Sequence, residues 1–290
     1  MSILRSGTGI INLLKQKFIA VGWGGNALIS LYISTVSGVI VALQYTPAEP
    51  FYSTSSIELI VPYGSFWRAM HYYSSQAFLF LLVFHFIAVA WENTHYYDRT
   101  AWVRLTLSIP ITILLLFTGY ILRDDATGEA AGLIAENISC AIPLIGNWLN
   151  NFFLAVSSSG MKRVYTHHLA GLMIIGAYCI WPHLRRYSTR WRFHLPLICL
   201  LLLLSVFLVT PIEPRRFGLL HIAGPWFFLG LQELLRYIHP FWAGIAFPGL
   251  LIIALLNLPH QGGKRSLYLG LISLWLMVYL VLSWVSYMRI

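Results

Sequence analysis

Residues 68–91 read RAMHYYSSQAFLFLLVFHFIAVAW, from Arg68 to Trp91. The run carries no Asp, Glu or Lys, and it is long enough to cross a bilayer, which takes roughly 20 apolar residues. It also holds two histidines, His71 and His85, 14 positions apart. At about 100° per residue that interval returns to the same helix face within about 40°, and rises roughly 21 Å. A second run, residues 164–184, repeats the device with His168 and His183, 15 apart. There the offset is about 60° and the rise roughly 22 Å. Ionisable side chains inside a membrane are rare and usually functional. Two helices, each with one histidine near the top and one near the bottom, predict the facing pairs His71–His168 and His85–His183.

The rest of the chain agrees with a membrane setting. Of 290 residues, 58% are hydrophobic and only 10% charged, with a mean hydropathy of +0.71. A soluble domain has about 25% charged residues, so a water-soluble globule is excluded, as are disorder and a coiled coil. The expected fold class is all-α: a polytopic membrane protein with seven transmembrane helices. They are placed at 22–45, 68–91, 101–122, 164–184, 195–211, 240–258 and 267–287. Pro110 sits inside the third, which membrane helices tolerate. Residues 1–21 read as an amphipathic surface helix, with Ile3, Leu4, Ile10, Ile11, Leu14 and Phe18 near one face. Residues 22–190 then form a four-helix bundle, and residues 191–290 a three-helix part.

Seven spans put the termini on opposite sides. The N-terminal side carries 11 of the 19 Lys/Arg, against 8 on the other. The short loop with Arg185, Arg186, Arg190 and Arg192 sharpens the bias. The positive-inside rule then places the N-terminus in the cytoplasm, at an inner (cytoplasmic) membrane, and the C-terminus outside. The face that carries the N-terminus is called the n side and the opposite face the p side. The net charge of +9 is therefore read as loop charge and not as nucleic-acid binding. The three cysteines stand in no C-x-x-C or C-x-x-C-H context, so neither a covalent c-type haem nor an iron–sulfur cluster is expected.

Two imidazoles facing each other across a bundle can fill both axial positions of a haem. Such a haem carries electrons and leaves no open place on iron. Two stacked sites, low-spin b-type haems, would span most of the bilayer. Gly24 and Gly38 are also 14 apart, and glycines let a porphyrin approach the backbone. Gly119 is their counterpart near the end of the third span, although the position 14 before it is Leu105. Arg68, one turn before His71, is placed to meet a haem propionate. The transporter alternative, with histidines relaying protons, expects nearby carboxylates. None stands between the paired histidines on either helix. A haem-binding or assembly protein without turnover is a further alternative.

At these residues the sequence resembles the cytochrome b/b6 family, the haem-bearing core of quinol:cytochrome c and quinol:plastocyanin oxidoreductases. Gly24-Gly25 with Gly38, Arg68-x-x-His71 with His85, and Gly119-Tyr120 match its first three helices. Ala141-Ile142-Pro143-Leu144-Ile145-Gly146 matches its p-side loop. Arg163-Val164-Tyr165-Thr166-His167-His168 resembles the entry to its fourth helix, which makes His168 the ligand and His167 its neighbour. Residues 195–287 look like the separate three-helix subunit of the chloroplast complex, fused here to the haem part. The resemblance implies quinone or menaquinone as substrate, and lipid and redox subunits as partners. Those subunits would be a c-type cytochrome or an iron–sulfur protein, in a complex that can be a homodimer.

The sequence also departs from the family. The p-side quinol site of the family uses the glutamate of Pro-Glu-Trp-Tyr as proton acceptor, and that position is Pro225 in Gly224-Pro225-Trp226-Phe227-Phe228. The Pro-Trp-Asp segment reads Arg123-Asp124-Asp125. Gly22 stands where a cysteine would hold an extra n-side haem, so that haem is not expected. Glu129, with Glu136, is the candidate substitute proton acceptor in the loop after the third span. Without a p-side quinol site the chain would be a linear wire with one n-side quinone site. Arg123 is expected to pair with Asp124, Asp125 or a propionate.

Overall fold

The computed structural model describes residues 13–92, 97–158, 160–214, 222–259 and 264–289. Its helices are α1 (Trp23–Ala42), α2 (Pro50–Leu59), α3 (Gly64–Glu92), α4 (Arg99–Arg123), α5 (Ala126–Cys140) and α6 (Gly146–Phe153). They continue as α7 (Met161–Leu184), α8 (Leu195–Phe207), α9 (Leu229–Leu234), α10 (Phe247–Asn257) and α11 (Lys264–Tyr287). Five helical runs among the described residues are long and apolar enough to cross a membrane: Leu13–Ala42, Gly64–Trp91, Arg99–Arg123, Met161–Leu184 and Lys264–Tyr287. Two shorter apolar runs, Trp191–Phe207 and Trp242–Asn257, occupy the expected fifth and sixth positions. The seven expected spans are thus met by five full-length helices and two short ones. The fifth is cut short because Leu208 turns extended, at φ −112° and ψ 127°.

Most of the predicted surface helix lies outside the described residues. Residues 13–20 are helical, and the turn into α1 is made by Gly22 at φ +70°, a left-handed conformation that glycine adopts without penalty. Phe18 then packs edge-on against Phe84 and Trp91 at the n-side end of α3, with ring centres 6.1 and 5.8 Å apart.

Small residues let the first pair of helices close. Ala27, Ser30, Ser34 and Ser37 recur at helical spacing along α1, and all are buried. Packing in a membrane favours such faces because they bring backbones together. α1 lies along α3, α4 along α7, α8 on the outer side of α3 and α10 beside α4. The backbones of α3 and α7 are not among the closely packed pairs. They meet through side chains, and the histidines stand in that gap.

The segment after α4, expected as a loop, is the helix α5. Asp125 caps it by accepting from the Gly128 amide at 2.9 Å. Asp125 is fully buried and is also ion-paired with Arg123 at 2.9 Å. Its second oxygen accepts from the Glu213 amide at 3.0 Å. Residues 209–214 form an extended strap that ties the three C-terminal helices to the bundle. Arg68 donates to the carbonyls of Thr210 and Pro211 at 3.0 and 3.4 Å, and Arg123 to that of Pro211 at 3.3 Å. Removing one partner of a buried ion pair costs about 3–5 kcal/mol, so this p-side clamp is a major joint between the two parts. Tyr45 seals the same end. Its hydroxyl donates to the Leu122 carbonyl at 2.8 Å.

Candidate functional site

The four histidines form two facing pairs. The rings of His71 and His168 have centres 6.3 Å apart, and those of His85 and His183 6.1 Å. The pairing follows from the 14- and 15-residue spacings once α3 and α7 run as antiparallel neighbours. The extra residue on α7 is absorbed by a π-helical turn at His167–Gly171. A π turn takes one more residue per turn. It restores the angular register that 15 straight α-helical residues would miss.

Hydrogen bonds fix the p-side rings. His71 Nδ1 lies 2.8 Å from the Ser34 carbonyl, which can only accept, so this nitrogen carries the proton. His168 Nδ1 lies 2.9 Å from Thr118 Oγ1. That hydroxyl already donates to the Leu114 carbonyl at 2.8 Å, so it accepts from the ring. Both rings therefore turn a lone pair on Nε2 toward the gap, the tautomer that a metal requires. The n-side rings of His85 and His183 have no such partner among the described residues, and His183 leans on Tyr187 with ring centres 4.6 Å apart.

Glycines make the room. A Cβ on Gly38 would stand 2.8 Å from His71 Cε1, and one on Gly24 2.8 Å from His85 Cε1. On Gly119 it would stand 3.3 Å from His168 Cε1. Each of these rings lies in a cradle that a side chain would fill. The fourth ring, His183, meets no glycine among the described residues. The separations suit one iron per pair: two metal–nitrogen bonds of about 2 Å plus the distance from each nitrogen to its ring centre come to about 6 Å.

The other candidates are placed less simply. Arg68 is 8% exposed and ion-paired with Glu58 at 2.6 Å. Its guanidinium is thus shared between that carboxylate and the strap carbonyls, and Glu58 is a partner the sequence reading missed. Glu129 is exposed on the first turn of α5, where a carboxylate complements the helix dipole. Glu136 is 8% exposed and accepts from the Ser157 amide at 3.2 and 3.3 Å. Arg123 pairs with Asp125, as expected, and its guanidinium also lies over the Tyr120 ring at 4.6 Å. His167 turns away from His168 and packs on Phe152 and Phe153, with ring centres 5.1 and 4.7 Å away.

Aromatic rings pack the p-side region around Pro225. Phe227 meets Tyr120 and Phe228 meets Phe117, with ring centres 5.6 and 4.5 Å apart. Trp226 stacks on Phe80 at 4.8 Å and donates its indole N–H to Gln76 at 2.9 Å. Gln232 folds the turn before them, accepting from the Gly224 amide and donating to the Ile222 carbonyl, each at 2.7 Å. At the n side, buried His194 joins Asn26 of α1 (Nδ1 to Oδ1, 2.7 Å) to Thr189. Sequence reading passed over this link, because no motif marks a lone histidine after a basic loop.

A family model described as cytochrome b/b6/petB matches residues 10–188. Among curated proteins, a cytochrome b of Bugula neritina is 26% identical over 324 aligned positions, covering 96% of this chain and 88% of that one. A cytochrome b6 of Heliobacterium modesticaldum is 29% identical over 152 positions, covering 50% of this chain and 71% of that one. Among solved structures, a chain of a hyperthermophilic respiratory Complex III aligns with a TM-score of 0.64 at 20% identity. It covers 91% of this chain and 82% of that one. At that identity the likeness concerns the fold.

Proposed function

The chain belongs to the cytochrome b/b6 family, and on that premise we propose that His71 with His168, and His85 with His183, hold two b-type haems. Family membership makes the chain a multi-pass, haem-binding electron-transfer subunit of a membrane redox complex. The observation that carries the finer reading is the pair of ring separations, 6.3 and 6.1 Å, at two levels of one gap. Haem, when bound, supplies a one-electron carrier at each level. The protein's part would be to offer two histidines to each iron, which would leave no open place there for a substrate. Ser34 and Thr118 orient the p-side ligands, and Gly24, Gly38 and Gly119 keep the rings and cofactor faces clear of side chains.

The substrate we propose is quinone, reacting at the n side near His85 and His183. Electrons then pass between that pocket and a p-side redox protein, a c-type cytochrome or an iron–sulfur subunit. Three observations favour this linear path over quinol oxidation at the p side. Pro225 cannot take a proton. The rings of Phe227 and Phe228 pack directly on α4. Glu129 is exposed, and Glu136 is engaged with the Ser157 amide. The n side is taken as cytoplasmic from the Lys/Arg bias, and a reporter fused after Ile290 reads that orientation out.

The test uses a quinol analogue and two variants in the purified complex. His183→Leu should leave a p-side haem that quinol no longer reduces. His71→Leu should leave an n-side haem that quinol still reduces. The opposite pattern would place quinol oxidation at the p side.

A further inference from the structure

A groove of about 350 Å³ lies between α1, α3 and α8. Its walls include Tyr32 and Val36 of α1, Phe66 and Trp67 of α3, and Leu202 of α8, and none of its lining residues is charged. Buried Ser37 and Met70 form its floor. They are the sequence neighbours of Gly38 and His71, so the groove lies behind the p-side histidine pair and outside the gap between α3 and α7. The Ser37 hydroxyl is turned back on its own helix, donating to the Ile33 carbonyl at 2.6 Å. An apolar cleft of about this size with few polar groups is the usual form of a small-molecule site.

The hydroxyl of Tyr32 is the polar group left over. Tyr32 stands eight positions after Gly24 and six before Gly38, roughly 12 and 9 Å along the helix. It therefore lies between the two histidine levels, near the middle of the bilayer. It is 53% exposed, and its hydroxyl has no hydrogen-bond partner among the described residues. Tyrosines of membrane proteins collect at the interfaces, and a hydroxyl without a partner in hydrocarbon is costly. The depth selects the partner. The ester and phosphate oxygens of a phospholipid stay at the headgroup level, and its acyl chains offer no acceptor. A lipophilic quinone carries its carbonyls into the hydrocarbon core.

We infer that this groove holds an isoprenoid quinone, with a ring carbonyl accepting from Tyr32 and the tail lying along Phe66 and Trp67. The inference rests on the reading above that quinone is the substrate. The groove is a place of holding and not of reaction. No carboxylate or histidine lines it, so nothing there takes a proton from a quinol. A quinone held in it is a reserve for the n-side pocket.

The test is photolabelling of the purified whole protein with an azido-quinone that carries a short isoprenoid tail, followed by peptide mapping, for the wild type, Tyr32→Phe and Val36→Trp. Haem reduction by a quinol analogue is followed in the wild type. Label is expected on residues 27–38 or 195–207, in addition to label near His183. Tyr32→Phe should raise the concentration that half-saturates the groove label by roughly fivefold, the effect of losing one hydrogen bond. Val36→Trp puts an indole on the exposed groove wall and should abolish that label. Both variants should keep the haem content of the wild type. Label near His183 alone, or a groove label unchanged in either variant, would overturn the inference and leave quinone as substrate. With no groove label in the wild type, one phospholipid fewer per chain in Val36→Trp would give the groove to an acyl chain, and a smaller oligomer in that variant would give it to a second copy; either result overturns the inference. Label nowhere, with no haem reduction by the quinol, would overturn the quinone reading itself, a different failure.

Discussion

A single methyl group separates the glycines of the site. At Gly38 and Gly24 an added Cβ would stand 2.8 Å from a histidine carbon, closer than real Cβ contacts allow, so the ring must move. At Gly119 the approach is 3.3 Å, which a shift of a few tenths of an ångström relieves. Overpacking a tight site costs about 1–3 kcal/mol. Gly38→Ala should therefore deplete the p-side haem and Gly24→Ala the n-side haem, while Gly119→Ala retains both. Haem absorbance per chain, measured in membranes and after purification, ranks the three. Equal haem content in all of them would mean that the rings do not rest on these glycines. The histidine ladder was legible at this scale because its period lies close to four helical turns. Arg68 was not. Its partner Glu58 lies ten residues away across a turn, and no periodicity announces such a pair.

At the scale of the element, α7 shows what spacing alone leaves open. Fifteen residues between His168 and His183 look like a misfit to an α-helix, and the π turn at His167–Gly171 takes up the extra one. Deleting Ala170 should convert that turn to α-helix and leave His168 and His183 on one face, so both haems should be retained. Inserting one alanine after Ile174 should rotate His183 by about 100° and remove the n-side haem. Optical spectra of the two variants check this, and loss of both haems on deletion would show that the turn has some other role. The long helices were readable from their apolar runs. The short ones, α2, α5, α6 and α9, were not, because tertiary packing decides them and only α5 has a side-chain cap. Asp125 illustrates the point: it looks like a loop acid in sequence, yet it is a buried cap, ion-pair partner and strap anchor at once. The C-terminal turn follows the same pattern. Glu233 is fully buried and meets Arg236 and Arg289 at 3.4 and 3.2 Å, which ties α9 to the end of α11. Tyr237 donates to it at 2.6 Å and has its phenol pKa raised by that bond.

Across the whole molecule, two levels of paired histidines stand in a gap between helices whose backbones keep apart. The clamp at residues 209–214 holds the three C-terminal helices against that bundle at the p side, and the His194 link holds them at the n side. A rigid frame suits the proposed role, because electron transfer between fixed sites needs no moving part. The turn at Trp226–Phe228 is pinned in the same manner. Tyr279 donates to the Phe227 carbonyl at 2.6 Å, and Trp226 is fastened to Gln76. The central claim is that this frame holds two haems, each between two histidines, and haem content measured together with low-temperature electron paramagnetic resonance tests it most directly. Two haems per chain are expected, both with low-spin signals, and His183→Leu should remove one signal and spare the other. One haem per chain, a high-spin five-coordinate signal in the wild type, or loss of both signals in His183→Leu would contradict it.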